Sequence, residues 1–362
     1  MTSRGILLPA AVGLAVLSCS VTLAATHDDH RAHLESVPQV PLPPWPDADE
    51  AGMGNTQGNG TWQRCAFHLM QPEARSYELS YPRTGAMPQS PFAEPESYRF
   101  DPSSGIPGTR HGFNTESTSG NIGGQGTQLD GLGHFAYLPE AWSGEGEFPA
   151  EALQYYGGFT QEDVKPGPDA PLARLGLENL PPIVSSAVLL DAAAYFNDGE
   201  PLAAGDLISR NDIEAMIEAQ GLAWRGLLPG DVLYIHTGWG EHWDGEDSRY
   251  YTQGPGLAYD TMAWLEEQAI VLVALDNPFT DPAPEGMLTG EAIPDGVPDG
   301  LPFAIHHHNL TQSGIYQIQN ARLADLAADQ VWTSCTMILP ALTQGAAQAP
   351  VRPVAIGTPA SR

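Results

Sequence analysis

The chain has 362 residues, 42% of them hydrophobic, enough for one large packed domain or two small ones. Fifteen basic residues against 44 acidic leave a net charge of −29, which repels nucleic acid and anionic membrane surfaces and excludes polyanionic partners. So much acid suits a soluble protein in a salty or extracellular setting.

The N-terminus reads as an export signal over residues 1–25: Arg4, the apolar run "ILLPAAVGLAVL", then small residues through "TLAAT". Cleavage after Ala24 or Ala25 is expected, and the run is too short to span a bilayer. The lesser alternative is a lipid anchor at Cys19, where "VLSC" has Leu at a position usually small. A periplasmic or secreted protein with no membrane insertion after cleavage follows. Cys65 and Cys335 then remain, and an oxidising compartment would let them pair. No Cys and His spacing resembles a structural zinc site.

Residues 26–60 contain "HDDHRAH" and a Pro, Gly and Asp mixture with no hydrophobic period, which predicts a linker or surface arm. After cleavage at Ala24, His27 is the third residue of a His-rich end able to bind copper or nickel, and a solvated polar tail is the preferred alternative. A single domain is expected over 61–362. From Tyr77 onward, short apolar runs alternate with helical patterns. "SSAVLLDAAAYF" begins as a buried strand. "RNDIEAMIEAQG" is a helix with an Asn or Asp cap and a terminal Gly. "GDVLYIHTGW" is a strand, "YDTMAWLEEQ" a helix and "AIVLVALD" a strand. This alternation predicts an α/β domain with a covered central sheet.

Two stretches carry chemistry. In "GGQGTQLDGLGHF", Gln128 and Asp130 would share one face of a strand, and Gly131 and Gly133 would let the chain bend His134 back towards them. Asp and His are ordinary ligands for zinc or manganese, whereas a Gln carbonyl is weak. By itself such a group is weak evidence, since most such groups are hydrogen-bonded turn residues. In "PFAIHHHNLTQSGIYQIQN", His306 and His308 would share one strand face and His307 the other, as a metal site or an exposed loop. There is no H-E-x-x-H, G-x-S-x-G, phosphate loop or dinucleotide fingerprint, so metal-assisted chemistry is the enzyme class with positive support.

Five segments, in order from about Tyr77 to the C-terminus, resemble the cyclase family, which includes bacterial kynurenine formamidases and isatin hydrolases. "YELSYPRTGAMPQSP" resembles its opening strand and Met-Pro turn, and "GTQLDGLGH" resembles the motif H-x-G-T-H-x-D-x-P-x-H. "LGLENLPPIVSSAVLLD", "GDVLYIHTGW" and "PGLAYDTMAWL" resemble the middle, and "IHHHNLTQSGIYQIQN" with "QAPVRPVAI" the end.

The resemblance implies a compact α/β domain of the swivelling β/β/α type, with a β-rich core, flanking helices and assembly as dimer or tetramer. It also implies a divalent metal, zinc or manganese, that activates water against an amide, lactam, lactone or ester of a small substrate, cyclic or N-formylated. Carried over by position, the family's first metal His falls on Gly124, its second on Gln128, and its metal Asp on Asp130. Its acid/base His falls on His134, its late metal His on His306, and its late metal Glu on Gln319. A Gln in the G-T-H position suits a subgroup of the family. With one carboxylate and neutral amides, metal affinity should be reduced. Phe135, Tyr137, Trp239, His307 and His308 are the candidate pocket residues, with core packing the alternative for each aromatic. Beside the hydrolase reading stands a non-catalytic small-molecule binding protein that has lost its metal.

Overall fold

A computed structural model describes residues 26–360, apart from 245, 246 and 248. Nine strands form one sheet: β1 (Arg75–Glu78), β2 (Gln128–Asp130), β3 (Ile183–Asp191), β4 (Val232–His236), β5 (Leu272–Leu275), β6 (Tyr316–Gln319), β7 (Thr333–Ile338), β8 (Gln348–Pro350) and β9 (Val354–Gly357). Their order across the sheet is β1-β9-β7-β3-β4-β5-β6-β2-β8. The four central strands, β3 to β6, run parallel, and both flanks are antiparallel. Val188, Leu190, Leu233, Ile235, Val273 and Leu275 are fully buried, because helices and loops cover both faces. That is why these strands read as continuous apolar runs rather than as alternating ones.

Helix α1 (His27–Ser36) and helix α2 (Asn59–Leu69) pack against one another, and α2 lies on β3 and β7. Residues 26–60, expected as a linker or surface arm, are folded onto the body. Thr26 and Asp29 form a capping box that starts α1. Between the helices, Met53 is buried and donates its N–H to the Gly314 carbonyl at 2.9 Å. A Cβ on Gly52 would stand 2.6 Å from the Gly314 oxygen, so the approach needs glycine there. Cys65 and Cys335 form a disulfide that ties α2 to β7. Nearby, Asp231 takes Arg225 at 2.7 Å and Arg64 at 3.6 Å, with all three side chains buried.

Helix α3 (Arg210–Ala219) is where the sequence pattern put it, but its cap is Ser209, paired with Asp212 in a capping box. The three histidines are not on a strand. Helix α4 (Ala304–His307) runs into a π-helical turn over His308–Ser313, closed by Gly314 at φ 73°. A π turn of this kind is uncommon and frequent at functional sites. Between β1 and β2, Ser97–Phe100 pairs with Glu116–Ser119 in an exposed two-stranded ribbon. No helix among the described residues is long and apolar enough to cross a membrane. The signal expected over 1–25 lies outside them, as does Cys19.

Candidate active site

Strand register builds the site. On β2, Gln128 and Asp130 point the same way because side chains alternate with period two. Gln319 of β6 pairs with Gln128 and Gln317 pairs with Asp130, while on the other side Gln348 of β8 pairs with Asp130. Cross-strand partners share a face, so one carboxylate is surrounded by four glutamines. Asp130 Oδ1 accepts from Gln348 Nε2 at 2.8 Å and Gln128 Nε2 at 3.2 Å. Asp130 Oδ2 accepts from Gln319 Nε2 at 2.6 Å and Gln317 Nε2 at 3.5 Å. Thr280 and Asn309 donate to Gln317 Oε1, which fixes its nitrogen towards Asp130. The carboxylate is fully buried, and without these donors its desolvation would be prohibitive.

His306 closes the group from α4. Its Nδ1 pairs with Asp281, whose carboxylate also accepts the Ile305 N–H at 2.6 Å and the His306 N–H at 3.4 Å. Asp281 thus starts the helix and orients the ring, leaving Nε2 to take the Gln319 amide at 2.6 Å. Burial lowers the His306 pKa, but Asp281 and then Asp130 outweigh it, and the net shift is upward. His134 follows the Gly131 turn, to which its N–H is bonded at 3.0 Å, and its Nε2 stands 3.2 Å from Gln348 Nε2. Its pKa is lowered, chiefly by burial, with Asp130 opposing and His306 adding.

These groups line a cavity of about 300 Å³. Gln128, Gln319, Gln348, His134 and His306 form its polar floor, and Phe92, Phe135, Phe279 and Phe303 its walls. The floor therefore offers amide and imidazole donors and acceptors beneath an apolar wall. Gly124 also lines the cavity. A Cβ there would meet Ala93 at 3.0 Å and the side chains of Asn121 and Gln348 at 3.4 Å, so the wall closes over the position where the family pattern has a histidine.

The donor set decides whether a divalent metal fits. Asp130 Oδ2 and His306 Nε2 are 3.7 Å apart, near the roughly 3.4 Å between two ligands on a tetrahedral ion with bonds of about 2.1 Å. The Gln319 amide lies between them and, turned over, presents its oxygen, as does that of Gln128. Among the described residues no three His, Cys, Asp or Glu side chains form a metal site. The set fits a divalent ion held weakly, through one carboxylate, one imidazole and amide oxygens.

Of the residues singled out in the sequence, the structure brings Gln128, Asp130, His134, His306, Gln319 and Phe135 together. Four others do not line this cavity. Trp239 packs with Tyr250 and Tyr251 and donates to the Tyr250 carbonyl, so it is core. Tyr137 lies against His307, whose ring nitrogens meet Thr311 and Gln312. His308 Nε2 pairs with Glu266 at 3.0 Å, because the helix turns it away from His306. Asp281, Gln317 and Gln348 escaped the sequence reading. For Gln317 the signal was present, since "YQIQ" alternates and sets it on the face of Gln319.

Fold and site together define an α/β protein of cyclase type, with a buried carboxylate, imidazole and amide group at one end of its sheet. The chain belongs to the cyclase family, whose model matches residues 77–282. Its fold is similar to the crystal structure of a novel cyclase, at 24% identity over 86% of this chain and 95% of that one, with a TM-score of 0.70. It is also similar to isatin hydrolase A from Ralstonia solanacearum, at 16% identity over 81% and 95%, with a TM-score of 0.53. An isatin hydrolase bound to the product analogue thioisatinate matches at 15% identity over 80% and 94%, with a TM-score of 0.52. No curated protein matches the sequence.

Proposed function

We propose that the chain is an exported hydrolase that cleaves a C–N or ester bond in a small, flat, neutral amide, lactam, lactone or ester, with a weakly held divalent ion, zinc or manganese, at Asp130 and His306. The observation carrying this reading is the facing of Asp130 and His306 across the Gln319 amide, on the floor of a Phe-walled cavity. Gln128 and Gln319 would complete the ion's shell through their oxygens. A divalent ion in that position supplies an acidified water and a polarised carbonyl.

The chain's own residues do the rest. Phe92, Phe135, Phe279 and Phe303 offer the ring an apolar surface beside the polar floor. Asp281 holds the His306 ring so that Nε2 faces the cavity. His134 accepts the proton of the attacking water and returns it to the leaving nitrogen or oxygen, and Gln348 steadies its ring. Export rests on the signal-like sequence of residues 1–25, and a homo-oligomer, dimer or tetramer, on the family resemblance.

One observation favours a second reading, a binding protein without metal. Both oxygens of Asp130 accept amide N–H groups, so the carboxylate is satisfied with no cation. Turnover of lactams, formamides and aryl esters with and without chelator separates the two. Turnover that chelator abolishes and zinc or manganese restores supports the hydrolase, and saturable binding with no turnover in any metal supports the alternative.

A further inference from the structure

The cavity wall around Gly124 carries two amides, and what each already binds fixes which way it points. Asn121 Oδ1 accepts the Gly124 N–H at 3.0 Å. A backbone N–H only donates, so the oxygen of Asn121 is turned to it and Nδ2 is turned away. Gln348, set beside Asp130 by strand register, donates Nε2 to Asp130 Oδ1 at 2.8 Å. An ionised carboxylate only accepts, so Gln348 Oε1 points elsewhere. The two free ends converge, since a Cβ on Gly124 would stand 3.4 Å from Asn121 Nδ2 and 3.4 Å from Gln348 Oε1. All three residues line the cavity. Asn121 is exposed and Gln348 half-buried, and among the described residues no hydrogen bond engages either atom. Gln348 Oε1 is open to the cavity rather than sealed in packing.

A donor beside an acceptor reads a ligand that carries an acceptor beside a donor. A carbonyl flanked by an N–H on the same edge supplies both, and that edge exists in a cis amide, the form a small ring imposes. A trans amide turns its two groups to opposite sides, and a lactone or ester has no N–H and leaves the Gln348 oxygen unpaired. The histidine that the family pattern has at position 124 would fill the space between the two amides, so the pair is this chain's own. We propose that Asn121 and Gln348 form a specificity subsite that selects cyclic amides over lactones, esters and open-chain amides, an inference that rests on the hydrolase reading and narrows it. Asn121 Nδ2 donates to the carbonyl oxygen and Gln348 Oε1 accepts the ring N–H. Gln348 Nε2 also stands 3.2 Å from His134 Nε2, so the nitrogen held by Gln348 lies beside the group that returns a proton to it.

Calorimetric titration of the full chain in chelator, where nothing turns over, tests this with isoindolin-1-one and its ketone isostere indan-1-one, which keeps the carbonyl and replaces N–H by a methylene. The lactam is expected to bind at one site per chain, at least about tenfold tighter than the ketone. Gln348→Met should bring the two affinities to within about twofold, a change of ratio that a merely structural role for Gln348 would not produce. Asn121→Asp keeps an oxygen for the Gly124 N–H but loses the donor, so both ligands should weaken by about tenfold with their ratio kept. Equal affinities in the parent, no saturable lactam binding up to roughly 10 mM, an unchanged ratio in Gln348→Met or unchanged affinities in Asn121→Asp would each overturn the subsite. Turnover in zinc or manganese separates it from the hydrolase reading. A parent that prefers the lactam yet hydrolyses nothing supports the subsite and overturns that reading, whereas equal kcat/KM on a lactam and its matching lactone overturns the subsite alone.

Discussion

Two clusters of buried polar groups are treated in opposite ways by their surroundings. At the β6-β2-β8 end of the sheet, strand register sets four amides around Asp130, so each oxygen is met. Beneath α1, His30, His68, Trp224 and Thr358 each keep a buried polar atom without a partner. A buried polar group is stable when its neighbours close the set, and it costs stability when they leave it open. The Asp130 cluster is therefore the one whose stability depends on every member.

The sharpest way to break this contrast is Asp130→Ala. It orphans the N–H groups of Gln128, Gln317, Gln319 and Gln348 together, so urea unfolding should show a loss of about 3–5 kcal/mol along with loss of any turnover. A loss below 1 kcal/mol would mean that the cage is not closed as described. His134→Ala should lower turnover by about 10²- to 10⁴-fold while leaving stability within about 1 kcal/mol, read from initial rates and melting curves. Equal losses in both readouts would make His134 structural. Asp281→Ala frees the His306 ring and two backbone N–H groups, and a stability loss of about 2–3 kcal/mol is expected by denaturant titration. Asp281→Asn, which keeps the shape but can no longer hold the same tautomer, should retain most of that stability yet lose activity.

The smallest effect belongs to the cluster beneath α1 and is read from pH. His30 is neutral in the fold, with a pKa of about 4 against an ordinary 6.5; burial is the main cause, Arg225, His33 and His27 add to it, and Asp231 opposes. The unfolded chain binds a proton near 6.5, so between there and about 4 acid favours unfolding, and this residue's contribution to stability is lost over that window. His30→Phe should flatten the slope of unfolding free energy against pH across that window. An unchanged slope would show that His30 is not buried against α2 and Trp224 in solution.

Much of the fold was legible because the central strands are apolar on both faces and bounded by turn residues. The pairing of Gln128 with Asp130 was legible from period two alone. The rest of the site was not, since Gln348 and Asp281 reach Asp130 and His306 through pairings 218 and 25 residues apart. The His306 run has no period of its own. It becomes helical because the Asp281 carboxylate caps Ile305 and His306, a contact with no local mark. The opposite holds for α1, where Thr26-x-x-Asp29 is a capping box readable in the sequence, hidden among residues that look like a polar tail.

The most direct test of the central claim is equilibrium dialysis of the purified protein against zinc and manganese, with bound metal measured per chain for the parent and for Gln319→Glu. Weak, saturable binding of one ion by the parent is expected, and at least about tenfold tighter binding by Gln319→Glu, which adds a second carboxylate between Asp130 and His306. Binding by neither protein at millimolar metal would contradict the metal site, as would tight binding that the substitution leaves unchanged.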